Sequence, residues 1–366
     1  MLRAHFLNVG HGDCTIIKHP SGRLTMIDCN SSSDYDSESF NELMTERRDH
    51  DALAAALSAF SPASNPLMAP SPFEPGLAPF LPASNPLMLP SQFPPTSNPI
   101  ALVPPSSLAP GFLGEYFGAM QAAKDELTDP IDFMRRVYPG EKLFRFVLTH
   151  PDLDHMRGIK RVYETIGFTN FWDTAHTKPT PDFKSDDDEE DWAFYQQLRT
   201  GTTKRYHRGD RLFAFGADER GGNGDGVEIM SPTPQLVTSC NAAEKSNDLS
   251  YVLRIWHAGR SLLLPGDAEE EAWDSMRIAY GARLKSDILK ASHHGRDSGY
   301  DLAALRLIAP SAVVVSVGRK PPTDASRKYH ANCGWVASTR YYGNIELRMH
   351  DNGTWEWFAQ RNSDAP

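Results

Sequence analysis

The stretch His150-Pro-Asp-Leu-Asp-His155 decides the fold, because it places four possible metal ligands within six residues. It follows the apolar run Phe144–Thr149, which predicts a buried strand. Imidazoles and carboxylates bind divalent ions when they are deprotonated and convergent, and a loop just beyond a buried strand holds them on a rigid base. Ordinary packing does not call for this density of ligand-type side chains. We therefore predict that the chemistry lies on this loop.

Two later stretches repeat the design of a β-run that ends in ligand-type side chains. Asp267 follows the run Ser261–Pro265, and the pair His293-His294 follows Asp287–Ala291. A lone Gly-Asp turn is usually only a turn or a helix N-cap, whereas adjacent histidines after a strand seldom serve packing. An aspartate between two histidine-bearing loops can bridge two ions, so the three stretches together predict a dinuclear site.

Asp28 ends the apolar run Leu24–Ile27 and has two interpretations. It is either a cap on the following segment or a residue that orients a ligand histidine. The sequence alone leaves both open.

Composition limits the class of protein. The chain has 366 residues, 40% of them hydrophobic, which suffices for one large domain or two ordinary ones. No signal-peptide pattern and no apolar run of about eighteen residues occurs, so we predict a cytoplasmic protein without a membrane contact. The formal net charge of −10 argues against a large nonspecific nucleic-acid surface.

A Pro-rich segment at 61–110 interrupts the chain. Its heptapeptide Pro62-Ala-Ser-Asn-Pro-Leu-Met68 recurs as Pro82-Ala-Ser-Asn-Pro-Leu-Met88, which indicates a duplicated insert. Because proline fixes φ and removes backbone donors, we predict a flexible linker. The alternative is an arm whose Leu67, Met68, Leu87 and Met88 bind a protein partner or pack on the domain.

Outside this segment, strand-like and helical runs alternate in both halves of the chain. Short β-runs open the sequence, and after His150 a helix is predicted at Met156–Ile166. The second half returns to strands, with a hairpin at Ala258-Gly259, and then alternates helix and strand. This order predicts a layered α/β fold with strands from both halves.

At this point five motifs, taken in order, resemble the metallo-β-lactamase fold superfamily. They are Gly10-His-Gly-Asp-Cys14, Ile27-Asp28, Thr149-His-Pro-Asp-Leu-Asp-His155, Gly266-Asp267 and His293-His-Gly295. The resemblance covers most of the chain outside the Pro-rich segment, and it is strongest to the branch of the C-terminal domain of the DNA-uptake competence channel protein. It implies one domain over 1–366 with a four-layer αββα sandwich, an α/β (α+β) fold whose site lies at one edge between two sheets.

The resemblance also implies a ligand set. The ligands carried over by position are His150 and Asp152 for one ion, Asp154 and His155 for the other, Asp267 as the bridge, and one of His293 and His294 to complete the second ion. Asp152 stands where the superfamily commonly has a second histidine, and no clear third-motif histidine follows. Two divalent ions are expected, but the first is weakly held, so an occupancy of one ion or of two both stay open. The extra carboxylate favours manganese or magnesium beside zinc.

The reaction class that follows is hydrolysis. A metal ion lowers the pKa of bound water and polarises the oxygen under attack. From their positions in the chain, Asp154 or Asp152 is predicted to orient that water, and His330 or His294 to stabilise charge or protonate the leaving group.

A phosphodiester, as in a nucleic acid, is the predicted substrate, because paired hard cations suit in-line displacement at phosphorus and the resembling branch is nuclease-like. Arg296, Arg319 and Lys320 lie near the histidine pair and are candidate phosphate contacts, or else scattered surface charge. One alternative is a small-molecule hydrolase acting on a lactone, thioester or phosphoester. Another is a non-catalytic interaction protein that binds partners through the Pro-rich repeats.

Overall fold

The computed structural model describes residues 1–31, 127–201, 203–210, 224–318 and 321–360, together with Thr45. Apart from Thr45, these residues fall within one compact unit, Met1–Asn41 with Ala122–Pro366. The predicted insert at 61–110 lies outside the described residues, so its flexible character stays a prediction.

The first sheet contains eight strands among the described residues. In spatial order these are β14 (Trp355–Ala359), β13 (Ile345–Met349), β1 (Leu2–Phe6), β2 (Thr15–Lys18), β3 (Leu24–Ile27), β4 (Leu143–Val147), β5 (Phe168–Trp172) and β6 (Thr203–Lys204). Neighbours from β14 to β3 pair antiparallel, and those from β3 to β6 pair parallel. The apolar run before His150 therefore forms a strand, as its sequence predicts.

The second sheet has six described strands. Their spatial order is β12 (Val336–Ser338), β11 (Ala312–Val315), β10 (Ile288–Lys290), β9 (Arg260–Leu264), β8 (Val252–His257) and β7 (Val227–Ser231). β12 to β9 are parallel, and β9, β8 and β7 form an antiparallel meander that includes the predicted hairpin. Ala258 and Gly259 both adopt positive φ at its turn, as a tight hairpin requires.

Helices cover the outer face of each sheet. Those on the first sheet are α1 (Pro130–Val137), α2 (Ile159–Thr165) and α3 (Asp186–Thr200), and those on the second are α4 (Pro234–Ala242), α5 (Glu270–Tyr280), α6 (Leu302–Ile308) and α7 (Ser326–Asn332), followed by the single turn α8 (Thr339–Tyr342). The helix α3 begins with a run of acidic residues, which the positive end of the helix dipole favours, and the Ser185 side chain accepts from the Asp188 N–H as the N-cap.

Three apolar cores separate the four layers. One joins the facing sides of the two sheets, and the other two lie between each sheet and its helices. β11 shows the consequence: Ala312 and Val314 point into the central core while Val313 and Val315 pack under the helices. A strand buried on both faces needs such a continuous apolar run. The predicted four-layer αββα sandwich is confirmed.

None of the helices within the described ranges has the length and apolar character that a membrane crossing needs. The cytoplasmic location stays a prediction.

Candidate metal centre

The carboxyl ends of parallel strands from both sheets meet at one edge of the sandwich. The strands concerned and the residues that follow them are β3 with Asp28, β4 with His150, β9 with Asp267 and β10 with His293 and His294. The Tyr251 N–H donates to the Thr149 carbonyl across 3.0 Å, which ties the loops of the two sheets together. Stretches that are far apart in the sequence therefore lie close together at this edge.

The Asp267 carboxylate is the centre of this place. Its Oδ2 lies close to four imidazole Nε2 atoms, at 3.4 Å from His155, 3.5 Å from His294, 3.7 Å from His293 and 3.9 Å from His150. Asp267 is 2% exposed, so this convergence is shielded from bulk water. An aspartate between two histidine-bearing loops is the arrangement that the sequence predicts.

Each of these imidazoles engages a separate partner through its other nitrogen. The Nδ1 partners are Asp28 Oδ2 for His155 at 2.9 Å, Thr149 Oγ1 for His150 at 3.0 Å, Glu269 Oε1 for His293 at 2.7 Å and the Ser316 carbonyl for His294 at 3.2 Å. Acceptors at Nδ1 assign the ring proton to that nitrogen. The Nε2 lone pairs are then left facing Asp267, which is the tautomer that metal-binding histidines need.

Asp28 hydrogen-bonds residues that belong to the cluster. Its Oδ1 accepts from the Thr149 N–H at 2.7 Å, and its Oδ2 accepts from the Thr149 hydroxyl at 2.7 Å and from His155 Nδ1. The Thr149 hydroxyl in turn faces His150 Nδ1. One buried carboxylate thus holds the rings of two histidines, as the orienting interpretation of Asp28 requires.

The backbone is unusual at the same place. In the described part of the chain six non-glycine residues have positive φ, and Asp28 at 57°, His293 at 47° and His294 at 53° are three of them. L-residues adopt this left-handed region at a cost, and such conformations cluster where the surrounding structure enforces them for function. The turn after β10 therefore aims both histidines inward.

Asp13 is a member of this cluster to which the sequence assigned no ligand role. Its carboxylate, His155, Asp267 and His294 offer atoms within 4.8 Å of one another, and all four residues are buried. Gly12 makes this possible, because a Cβ at Gly12 would lie 2.5 Å from the Asp154 carbonyl. The signal was the motif Gly10–Cys14, which carried the resemblance without an assigned role.

Asp154 and Asp152 lie on different sides of Asp267. Asp154 Oδ2 is 3.5 Å from His294 Nε2, whereas Asp152 Oδ1 is 3.6 Å from His150 Nε2. Asp152 also accepts a hydrogen bond from the Lys178 ammonium at 2.5 Å. The two carboxylates of the hexapeptide thus lie on opposite sides of Asp267. Each side has an ammonium against it: Lys178 contacts Asp152 Oδ1, and Lys290 contacts Asp13 Oδ2 at 2.5 Å.

The charges at the centre are strongly coupled. Burial alone would raise the pKa of Asp267, yet the imidazoles of His155 and His294 hold it well below its usual range. Burial would lower the pKa of His155, and the carboxylates of Asp267, Asp28 and Asp154 outweigh it and raise that pKa well above the ordinary value. The negative potential that favours protons on these rings equally favours a cation.

A divalent ion fits the residues present. Four buried side-chain atoms at the centre have no hydrogen-bond partner among the described residues: His155 Nε2, His294 Nε2, Asp267 Oδ1 and Asp13 Oδ1. In proteins most buried polar atoms are paired, so four unpaired atoms in one place call for a missing partner. Two imidazole nitrogens with two carboxylates form a donor set that zinc and manganese both accept. The group can hold a divalent metal ion.

The remaining predicted site residues are placed less centrally. Arg296 follows the histidine turn and is half-buried, with its Nε buried and lacking a partner among the described residues. His11 lies beside the cluster, its ring 5.5 Å from that of His294. His330 is exposed on α7, and no hydrogen bond or ion pair described for it reaches the cluster. Arg319 and Lys320 lie outside the described residues.

The layer order, the strand-end site and the converging histidines and aspartates agree with the resemblance noted from the sequence. The two mixed sheets between their helical layers form a metallo-β-lactamase-like αββα sandwich.

Comparison with known proteins finds sequence similarity over a short stretch of the chain. No family model matches the chain. Competence protein ComA of Neisseria gonorrhoeae is 34% identical over 83 residues, a stretch that spans 22% of this chain and 12% of that protein.

Two solved structures align over most of this chain at low similarity. Igni18, a metallo hydrolase from Ignicoccus hospitalis, aligns over 97% of this chain and 98% of its own at 11% identity and a TM-score of 0.41. The E377D mutant of the β-hydroxylase CmlA aligns over 94% of this chain and 54% of its own, at 10% identity and a TM-score of 0.41.

Proposed function

We propose that this protein is a divalent-metal-dependent hydrolase that cleaves phosphodiester bonds, with a nucleic-acid strand as the substrate class. The observation that carries the proposal is the Asp267 carboxylate, surrounded by four Nε2 atoms with their Nδ1 atoms engaged elsewhere. A bound divalent cation supplies a more acidic water and an electrophile for the oxygen under attack. Packing alone does not explain why imidazole nitrogens and carboxylate oxygens are buried together here without hydrogen-bond partners.

The chain's own residues would do the positioning. Asp28 holds the ring of His155, and Asp154 lies at the half-exposed mouth of the cluster, within 3.5 Å of His294 Nε2. From there Asp154 can accept a proton from a reacting water. A carboxylate can serve as a general base when it lies within reach of that water. His155 and His294 overcome the effect of burial and lower the pKa of Asp154, which keeps it ionised but makes it a weaker base, so its contribution would be the position of its oxygen.

Three features favour phosphorus over an acyl carbon. Two of the four clustered ligand-type groups, Asp13 and Asp267, are hard carboxylates, which suit manganese or magnesium. Two cationic groups, Arg296 and Lys178, flank the cluster and can bind phosphate oxygens. The local similarity to a competence protein supports the same direction.

The test is a cleavage panel with added Mn²⁺, Mg²⁺ or Zn²⁺. Single- and double-stranded DNA, RNA, cyclic dinucleotides, bis(p-nitrophenyl) phosphate and a lactone are each incubated with the purified protein. We expect metal-dependent cleavage of at least one phosphodiester, lost in Asp154→Ala. Hydrolysis of the lactone alone would support the small-molecule alternative instead, and activity that survives Asp154→Ala would place the chemistry elsewhere.

Binding without catalysis is the remaining alternative. A protein that holds no divalent ion under any of these conditions, and cleaves nothing, would contradict the proposal and favour an interaction protein. The predicted partner of the Pro-rich repeats stays a proposal of its own.

A further inference from the structure

The two sides of the Asp267 carboxylate differ in whether their ligand-type atoms are available to a cation. Toward His155 and His294, the described residues leave two nitrogens and two carboxylate oxygens without partners. On that side the Lys290 ammonium lies 2.5 Å from Asp13 Oδ2, and Asp13 Oδ1 keeps no hydrogen-bond partner among the described residues. Toward His150, the Asp152 oxygen that faces His150 Nε2, Oδ1, already has a positively charged partner. That partner is the Lys178 ammonium, 2.5 Å from Asp152 Oδ1.

Several contacts hold Lys178 in this position. Its backbone N–H donates to Nδ1 of the buried His176 at 3.0 Å, and Nε2 of that ring meets the hydroxyl of Tyr195. Tyr195 in turn donates to Asp173 Oδ1 at 3.1 Å. The lysine backbone is therefore anchored to a buried network, while its side chain extends to Asp152 and, at 3.5 Å, to the Ser246 hydroxyl.

We propose that the Lys178 ammonium takes the place of the first metal ion, so that the protein holds one divalent ion tightly, at His155, Asp267 and His294. This inference rests on the proposed metal-dependent function and chooses one ion where the sequence left one or two open. The ammonium lies on the same Asp152 oxygen that faces His150 Nε2, so a divalent cation between these two atoms would meet strong repulsion. Lys290 does not block the other side in this way, because it contacts Asp13 Oδ2 and leaves Oδ1 without a hydrogen-bond partner in the described ranges. The lysine also supplies a fixed positive charge where an anionic oxygen of the substrate would otherwise face the first ion.

The donor set on this side supports the same conclusion. On this side His150 Nε2 lies 3.6 Å from Asp152 Oδ1 and 3.9 Å from Asp267 Oδ2. Neither His150 nor Asp152 belongs to the compact group of four ligand-type residues in the described part of the chain. His176, the nearest further histidine in sequence, uses both ring nitrogens within the network that anchors Lys178. It therefore supports the lysine and is not free to be a third ligand.

The test counts ions directly. The full-length protein is loaded with Mn²⁺, desalted and measured by elemental analysis and native mass spectrometry, and a Mn²⁺ titration gives the affinity of any second site. We expect one ion per chain in the wild type. Lys178→Met, which keeps the aliphatic stem and removes the charge, should bind a second ion at least about tenfold more tightly than the wild type does.

Two further variants make the count interpretable. Lys178→Arg keeps the charge and should still bind one ion, and Lys160→Met removes an exposed lysine paired with Glu190 and should change nothing. Thermal unfolding of each variant shows whether it is folded. Two tight ions in the wild type, or an unchanged count in a folded Lys178→Met protein, would overturn the inference. No ion in any of the proteins would instead contradict the proposed metal dependence.

Discussion

The two sides of Asp267 differ in how their charges are satisfied. On one side Asp13, His155 and His294 are buried, and each has an atom with no hydrogen-bond partner among the described residues. There Lys290 pairs with Asp13 Oδ2 and leaves Oδ1 unpartnered. On the other side Asp152 is 29% exposed, and Lys178 pairs with the oxygen that faces His150. The difference teaches that a lysine can leave a carboxylate oxygen available to a cation in one place and occupy that oxygen a few ångströms away.

Asp267→Asn should have the largest effect, because both sides of the comparison share this carboxylate. The amide removes a charge from the point where four imidazoles converge. We expect Mn²⁺ affinity to fall by at least about 100-fold, with loss of phosphodiester cleavage. Isothermal titration with Mn²⁺ measures the change.

A matched control is available on the helix that follows. Asp274→Asn removes a carboxylate of α5 that pairs with Arg277 outside the cluster, and it should leave affinity and activity unchanged. If Asp267→Asn binds Mn²⁺ as well as this control does, the centre lies elsewhere.

Asp28→Asn should weaken the buried side by less. Asp28 does not face the ion position, but it accepts from His155 Nδ1 and from Thr149. An amide can present its NH₂ to the ring and disturb the required tautomer. Loss of such a partner costs about 10–100-fold in metal affinity, and the same titration detects it. An unchanged affinity in a folded protein would show that His155 is not a ligand.

Most of the residues on the two sides of Asp267, and the layers that carry them, could be predicted from the sequence, but Asp13 and Lys178 could not. The motifs at His150, Asp267 and His293 are each visible as ligand-type residues after an apolar run, and the alternation of runs predicts the layers. Asp13 was not predicted as a ligand, because the Gly-rich segment around it has the pattern of an ordinary turn. Only the structure shows that Gly12 lets that turn approach the Asp154 carbonyl.

Lys178 was not identified from the sequence for a different physical reason. It lies in an irregular segment between β5 and α3, where no periodicity marks a buried or directed side chain. Its role depends on a backbone hydrogen bond to His176 and on the distance to Asp152, and neither is encoded in spacing. The short strands β5 and β6 and the helix α4 also received no prediction, because packing on their neighbours fixes them more than local pattern does.

Arg296→Ala should separate substrate binding from ion binding. The side chain lies next to the histidine turn with its Nε buried and without a partner in the described ranges, so it can reach an anionic oxygen. We expect KM for a phosphodiester to rise by about tenfold with Mn²⁺ affinity unchanged. Arg283→Ala, on an exposed turn of the second sheet's helical layer, is the control. An unchanged KM would show that Arg296 does not contact the substrate and is only one of the scattered charges of the surface.

Glu269→Gln should have a small effect on the ion. Glu269 accepts from His293 Nδ1 at 2.7 Å, and this hydrogen bond, together with Ser298 and Asn247 and against the effect of burial, lowers the pKa of Glu269 to about 2. His293 lies outside the group of four, so we expect less than about tenfold loss of Mn²⁺ affinity. A loss as large as that of Asp28→Asn would make His293 a principal ligand and move the ion toward the His150 side.

Asp173 tests the anchor behind Lys178 through pH. Burial, opposed by Arg199, raises the pKa of Asp173 to about 6. A raised folded-state pKa adds stability that is fully present below about pH 4 and is lost as the pH rises through about 6. Denaturant unfolding should therefore show a decline on the order of 1–3 kcal/mol across this window. The decline should be absent in Asp173→Asn, and its persistence there would assign it to another group.

The most direct test of the central claim is where a bound ion lies. Crystals of the protein grown with Mn²⁺ give an anomalous difference map that locates manganese independently of any assumption about the site. We predict a single strong peak within bonding distance of His155 Nε2, His294 Nε2 and the Asp267 carboxylate, with Lys178 still against Asp152. A map with no peak there, or with the strongest peak between His150 and Asp152, would contradict this account.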